Sequence, residues 1–300
     1  MEVCQKRNGN TAFETKVPYS IGSNRPALMV PADACDAHHH IYDPVRFPYA
    51  NTSVQPPATT EAYRLLQKRL GLERNVIVTP SAYGTDNSCT LTALKKMGKD
   101  ARAVVVIDNL ISDSMLEEMN RMGVCGIRIN VCCGDSGEPR RIKTLADRIA
   151  PLGWHISFWM NANLTVEMKD FLKGLPCPVV FDHRGHLPAA EGIRHEAFRI
   201  ITGLMKEKKA YVKLSALYHD SIKEDYADTI RVGKAYIEAA PDQVLWGTDW
   251  PHPGQSTTKR GLPNDADLLD YLLVQAGDQA TVHKILVDNP ARLFRWPKSR

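Results

Sequence analysis

The chain alternates between short apolar runs and longer stretches with helical spacing. After residue 32, eight runs rich in β-branched or aromatic residues recur: DACDAHHH (33–40), NVIVTPS (75–81), ARAVVVID (101–108), GVCGIRIN (123–130), WHISFWMN (154–161), PVVFDHRG (178–185), YVKLSAL (211–217) and QVLWGTDW (243–250). Helix signals fill the gaps. Ser114 and Glu117 form a capping box ahead of LEEMNRMG, which Gly123 stops. Asn87 and Ser88 stand where they can cap TLTALKKMG, closed by Gly98. Phe198, Ile201, Leu204 and Met205 share one face of a helix between residues 192 and 208. Near-continuous apolar strands separated by helices imply a parallel sheet covered on both sides. Eight is the closure number of a (β/α)8 barrel, so the expected fold is α/β, a single-domain TIM barrel over residues 31–300. An open doubly wound sheet is the alternative, but the turn after the first strand has no GxGxxG. Residues 1–30 lack periodicity and read as an N-terminal arm, and residues 44–57 read as a long loop over the barrel mouth.

Composition narrows the function classes. Hydrophobic residues at 43% and charged residues at 24% are globular values. A net charge of +4 without a concentrated basic face excludes nucleic acid and membrane surfaces as expected partners. No window approaches the roughly 18 apolar residues of a membrane span, and the first residues, MEVCQKRNGNTAFETK, do not resemble a signal peptide. The seven cysteines (Cys4, Cys35, Cys89, Cys125, Cys132, Cys133, Cys177) are scattered without CxxC spacing, as expected of reduced thiols in the cytoplasm. A small-molecule partner is the remaining expectation, with a homo-oligomer left open.

Barrel enzymes keep their chemistry at the C-terminal ends of the strands. His38 and His40 end the first run two residues apart, so both can face inward while His39 faces away. Asp182 and His183 end the sixth run, Asp249 the eighth, Arg128 and Asn130 the fourth, Trp159 and Asn161 the fifth, and Ser81 with Tyr83 the second. A lone histidine is more often a satisfied core residue than a ligand, which is the reading for His155, His195 and His283. Four titratable groups gathered at one end are different, because burying them is costly and gives no stability in return. Lys213 lies mid-strand on the inward parity with Ser215 and suits neutralising a buried acid.

The combination of DxHxH, DHxG and WGTDWPHP resembles the amidohydrolase superfamily, in particular its lactone-hydrolase branch, from residue 35 to about 294. RNVIVTPSAYGTDN, GIRIN, GWHI and DNPARLF add to the likeness. The resemblance implies lactone opening in aromatic catabolism, with Asp249 as general base on water and His38, His40 and His183 polarising the lactone carbonyl. It implies Arg128 as the grip on a substrate carboxylate, with His186 and His219 as further anion contacts. Tyr49, Ser81, Tyr83 and Trp159 are candidate pocket-lining residues. Superfamily members with two metals carry a strand-4 lysine or glutamate and separate histidines on strands 5 and 6, unlike this chain. No metal is expected to be required, although His38, His40, His183 and Asp249 suit a single Zn²⁺. Where a pyrone-dicarboxylate lactonase has further arginines, this chain has VCCGDSG after strand 4, His186 after strand 6 and Tyr218-His219 after strand 7. Fewer fixed cations favour a carboxylated or sulfonated muconolactone-type lactone. The alternatives are a sugar-acid lactone isomerase or hydrolase, a zinc-dependent decarboxylase, and a barrel that only binds its ligand.

Overall fold

The computed structural model describes residues 13, 15–52, 55–131 and 137–297. Among them eight strands form one sheet in sequential order, every neighbouring pair parallel: β1 (Cys35–His39), β2 (Arg74–Val78), β3 (Ala101–Val105), β4 (Val124–Ile129), β5 (His155–Phe158), β6 (Val179–Phe181), β7 (Ala210–Ser215) and β8 (Val244–Gly247). The ring closes just beyond β8, where the Asp249 amide donates to His38 O and the His40 amide to Trp250 O, each at 2.8 Å. Each strand overlaps one of the eight apolar runs, and the polar residues at the ends of those runs leave the sheet. Asp249 (φ 63°) and His183 (φ 48°) adopt left-handed backbone there, a costly conformation that the surrounding structure must hold.

The helices are α1 (Thr60–Leu70), α2 (Ser88–Met97), α3 (Asp113–Met122), α4 (Pro139–Ile149), α5 (Ala162–Glu167), α6 (Lys169–Lys173), α7 (Glu196–Lys206), α8 (Leu217–Asp220), α9 (Ala227–Ala239), α10 (Asp265–Ala276), α11 (Gln279–His283) and α12 (Asn289–Leu293). Their buried faces and the outward strand residues build one large apolar shell. A second cluster fills the barrel, with Cys35, Ala37, Val76, Val104, Cys125, Val180 and Leu245 packed on Leu293, Phe294 and Trp296 at the floor. Two expected caps differ in detail. Ser112, not Ser114, caps α3 by accepting from the Met115 amide, because the helix starts earlier than the Ser114 box implies. Asn87 occupies the cap position of α2 but gives its side chain to Thr79 and to the Val106 backbone, tying β2 to the end of β3. Gly123 and Gly98 close α3 and α2 as expected.

A bulge in β1 adds a side chain to the lumen ahead of the inward-facing histidines. Cys35 pairs with Arg74 and Asp36 with Asn75, whereas His39 pairs with Ile77, so β1 holds one extra residue between Asp36 and His39. Cys35 and Ala37 face the lumen, and strict alternation would turn His39 inward next. With the extra residue, His38 and His40 face in. His39 instead stacks on Tyr63 of α1, ring centres 3.5 Å apart, and bonds Asn75 at 3.0 Å. Gly247 of β8 lies against this bulge, where a Cβ would stand 2.7 Å from both the Cβ and the amide nitrogen of His38.

The part of the N-terminal arm described here, residue 13 and residues 15–30, packs on the barrel. Phe13, Val17 and Leu28 are buried. Arg69 of α1, 1% exposed, donates to Asn24 O, Ser20 Oγ, Ile21 O and Asn264 Oδ1, and Pro18 O accepts from Trp250 Nε1 at 2.8 Å. Cys35, Cys89, Cys125 and Cys177 are free and buried; Cys4, Cys132 and Cys133, and with them most of VCCGDSG, lie outside the described residues. No helix of the described residues is long and apolar enough to cross a membrane.

Gly247→Ala is expected to destabilise the fold by about 1–3 kcal/mol through overpacking against a backbone that cannot yield. Urea denaturation of the variant beside wild type measures it, and an unchanged midpoint would show that β1 shifts freely.

Candidate active site

At the C-terminal end of the barrel three imidazoles converge on one carboxylate oxygen. Asp249 Oδ1 lies 3.6 Å from His38 Nε2, 3.5 Å from His40 Nε2 and 3.9 Å from His183 Nε2. All four residues are no more than 3% exposed. Each ring is oriented from its far side. His40 Nδ1 donates to Val78 O at 2.7 Å, since a carbonyl can only accept, so Nε2 is the nitrogen facing Asp249. His183 Nδ1 bonds Ser215 Oγ at 2.9 Å, and His38 Nδ1 lies 3.1 Å from Lys213 Nζ. Burial, with the Lys213 charge beside it, pushes the His38 imidazole down to about 3, and burial likewise holds His183 well below the usual histidine range. Both rings are neutral at physiological pH. Burial acts to raise the Asp249 carboxyl, but the facing His183 and a hydrogen bond from His219 hold it well below the usual carboxylate range, so it is ionised.

Beneath this chamber lies a second set of charges. Asp182, fully buried, takes Lys213 Nζ on Oδ1 at 3.1 Å and Arg128 Nε on Oδ2 at 2.9 Å. Burial raises the Asp182 carboxyl, yet Lys213, His38 and Arg128 hold it well below its ordinary value. Lys213 and Arg128 thus face Asp182 from both of its oxygens, and the buried carboxylate is fully paired. Asp36 is a structural carboxylate: burial lifts it to about 6 while the Thr248 hydroxyl and amide, the His38 amide and the Tyr63 hydroxyl donate to it. It clamps the bulged β1 to the residue preceding Asp249.

The remaining candidates divide into two groups. Arg128 lies under the Trp159 ring at 5.1 Å, with His186 6.3 Å beyond that ring. His186 Nδ1 is committed to Asp220 at 3.0 Å, and its ring stands 5.3 Å from that of His183. His219 Nε2 lies 3.4 Å from Asp249 Oδ2, closer to the carboxylate than a peripheral anion contact. Tyr49, Ser81 and Tyr83 belong to a different cluster. Tyr83 is fully buried and its hydroxyl accepts from the Asp43 amide, Tyr49 donates to Gln55 O, and Ser81 O accepts from Asn51. The Tyr42 ring lies 6.2 Å from that of His40, 6.1 Å from Tyr49 and 6.3 Å from Tyr83. His155 packs on Phe294 at the floor and His195 caps α7. A hollow of about 920 Å³ bordered by Arg74, Arg102 and Trp296 opens at the opposite, N-terminal face and holds none of these residues.

The sequence reading marks Tyr218 only as standing where a further arginine would fall, and singles out neither His252 nor Asp265. Tyr218 donates to Asp249 Oδ2 at 2.8 Å and contacts His252 Nδ1 at 2.8 Å, and His252 Nε2 meets Asp265 Oδ2 at 3.1 Å. His252 stands in the WGTDWPHP motif, which is its one sequence signal; Asp265 has none.

The donor set also fits a metal ion. His38, His183 and Asp249 each offer one ligand atom within 4.8 Å of the others, and His38 Nε2 has no hydrogen-bond partner among the described residues.

Three curated relatives match nearly the whole chain. A 2-pyrone-4,6-dicarboxylate hydrolase of Comamonas testosteroni is 34% identical over 92% of this chain and 94% of its own length. A 4-sulfomuconolactone hydrolase of Hydrogenophaga intermedia is 33% identical over 89% and 90%, and a D-galactarolactone isomerase of Agrobacterium fabrum 28% over 92% and 95%. An apo crystal structure from Agrobacterium tumefaciens superposes with a TM-score of 0.85 at 26% identity, covering 95% of this chain and all of that one. The pattern of the amidohydrolase family matches residues 35–296, and the chain belongs to that family.

Proposed function

We propose that the protein opens a carboxylated or sulfonated muconolactone-type lactone by adding water. The observation that carries the reading is the convergence of His38, His40 and His183 on Asp249 Oδ1; the hydrolase names of two relatives support it. Asp249 is an ionised base shielded from solvent. His40, held through Nδ1 by Val78 O, places Nε2 3.5 Å from Asp249 Oδ1, so one water can lie against both. Asp249 takes a proton from that water as its oxygen attacks the lactone carbonyl. His38 Nδ1 is held by Lys213 at 3.1 Å and Asp182 at 3.4 Å, which leaves Nε2, without a partner among the described residues, facing the chamber where the oxyanion develops, and His183 stands beside it. The ring C–O bond then breaks, and the departing oxygen receives the proton held by Asp249. Arg128, its plane fixed by Asp182 and Trp159, is the proposed grip on the substrate anion, with His186 and His219 at the rim. A single Zn²⁺ held by His38, His40, His183 and Asp249 would supply Lewis-acid polarisation, but the residues above carry each step without it.

Isomerisation is the second reading, favoured by the 28% identity to the galactarolactone isomerase. There the freed hydroxyl re-attacks within the bound molecule and no water is consumed.

A pH-indicator assay on 4-sulfomuconolactone, 2-pyrone-4,6-dicarboxylate and D-galactarolactone is expected to show acid release from at least one lactone, and silence across the panel overturns the hydrolytic reading. On the active lactone, Asp249→Asn is expected to fold normally and lose about 100- to 10,000-fold in kcat. A retained rate would remove Asp249 as the base. In water labelled with heavy oxygen the product carboxylate should gain one labelled atom, whereas an unlabelled product marks isomerisation. Dialysis against a strong chelator, with metal analysis of the same sample, is expected to leave kcat unchanged; a loss restored by zinc would assign the polarising role to a metal.

A further inference from the structure

Asp249 has two oxygens, and the chamber uses one. Oδ2 turns away from the imidazoles of β1 and β6 toward Tyr218, which opens α8 together with Leu217 and is 6% exposed. Behind Tyr218 stand His252 (1% exposed) and Asp265 (fully buried), the first residue of α10. The chain Asp249–Tyr218–His252–Asp265 therefore runs from the chamber through the barrel wall with contacts of 2.8, 2.8 and 3.1 Å. Nothing in the chemistry derived above uses it, and burying two carboxylates, a phenol and an imidazole in series is costly unless each contact holds a proton.

Counting protons gives the chain a direction. Tyr218 has one hydroxyl proton and two polar neighbours, the Asp249 carboxylate and His252 Nδ1. It donates to Asp249 only if His252 presents an N–H at Nδ1. Nε2 then faces Asp265 Oδ2, and that contact holds only if the ring is charged or Asp265 keeps the proton. In both cases Asp265 is what lets His252 face Tyr218 as a donor.

We propose that Tyr218 is a positioning residue for Asp249, occupying Oδ2 with a hydrogen bond whose direction His252 and Asp265 set, so that Oδ1 alone faces the three imidazoles. The inference rests on Asp249 being the base. His219, 3.4 Å from the same Oδ2, flanks this hydrogen bond from the solvent side and does not replace it. Without Tyr218 the carboxylate can turn about its own axis and divide its basic positions between the chamber and the wall.

The test uses full-length protein and the active lactone of the three-compound panel. Turnover by wild type comes first, so failure of the lactone reading shows there and not in the variants. Tyr218→Phe is expected to lower kcat by about 10- to 100-fold with KM within about twofold of wild type, as for other outer hydrogen-bond partners of catalytic groups. His252→Asn should do the same, and the double variant should be no slower than Tyr218→Phe alone, because His252 acts through Tyr218. An unchanged kcat, a change confined to KM, or losses that multiply in the double variant each overturn the proposal. Should Tyr218→Phe fail to fold, Asp265→Asn carries the same expectation: it touches Asp249 only through the chain, so a kcat equal to wild type overturns the assignment.

Discussion

The two backbone hydrogen bonds that close the barrel also assemble its chemistry. When the Asp249 amide meets His38 O and the His40 amide meets Trp250 O, β8 is stitched to β1. The same stitch brings the carboxylate between the two histidines of the HxH pair. Closure and the geometry of the candidate site are therefore one constraint, and Asp36 reinforces it by binding Thr248 on one side and the His38 amide on the other. The left-handed backbone at Asp249 is sustained because residues on both sides of it are already fixed.

Below that stitch, the barrel is divided by polarity. Its lower third is apolar, floored by Leu293, Phe294 and Trp296. Above it Lys213, Arg128 and Asp182 form a buried ionic layer that removing any one member would leave uncompensated, at a cost of several kcal/mol. This layer serves the chamber by electrostatics more than by contact. Lys213 disfavours a charged His38, and Lys213 and Arg128 together keep Asp182 anionic.

Much of this was legible in the sequence. Eight apolar runs of the right length, each followed by helical spacing, identify the barrel, and the strand-end rule singles out His38, His40, His183 and Asp249 as candidates, which the structure brings together. What the sequence could not show are relations made by the tertiary path. Ser114 looks like a cap because its spacing to Glu117 is right, yet the chain turns at Ser112. Tyr49 and Tyr83 sit on the loops expected to line a pocket, and Tyr42, which carries no sequence signal of its own, joins their rings near His40. Tyr218, His252 and Asp265 come from three segments that only the closed barrel brings together, and no local pattern marks Asp265. The parity of the HxH pair was read correctly from its spacing, although the alternation running into it is broken.

That break shapes how the first strand can change over time. With one extra residue between Asp36 and His39, the segment can exchange small apolar residues at Cys35 or Ala37 while its length stays fixed. Removing that one extra residue would still leave His39 opposite Ile77 and His38 and His40 facing in, so the bulge adds a lumen side chain at Ala37 without deciding the orientation of the pair.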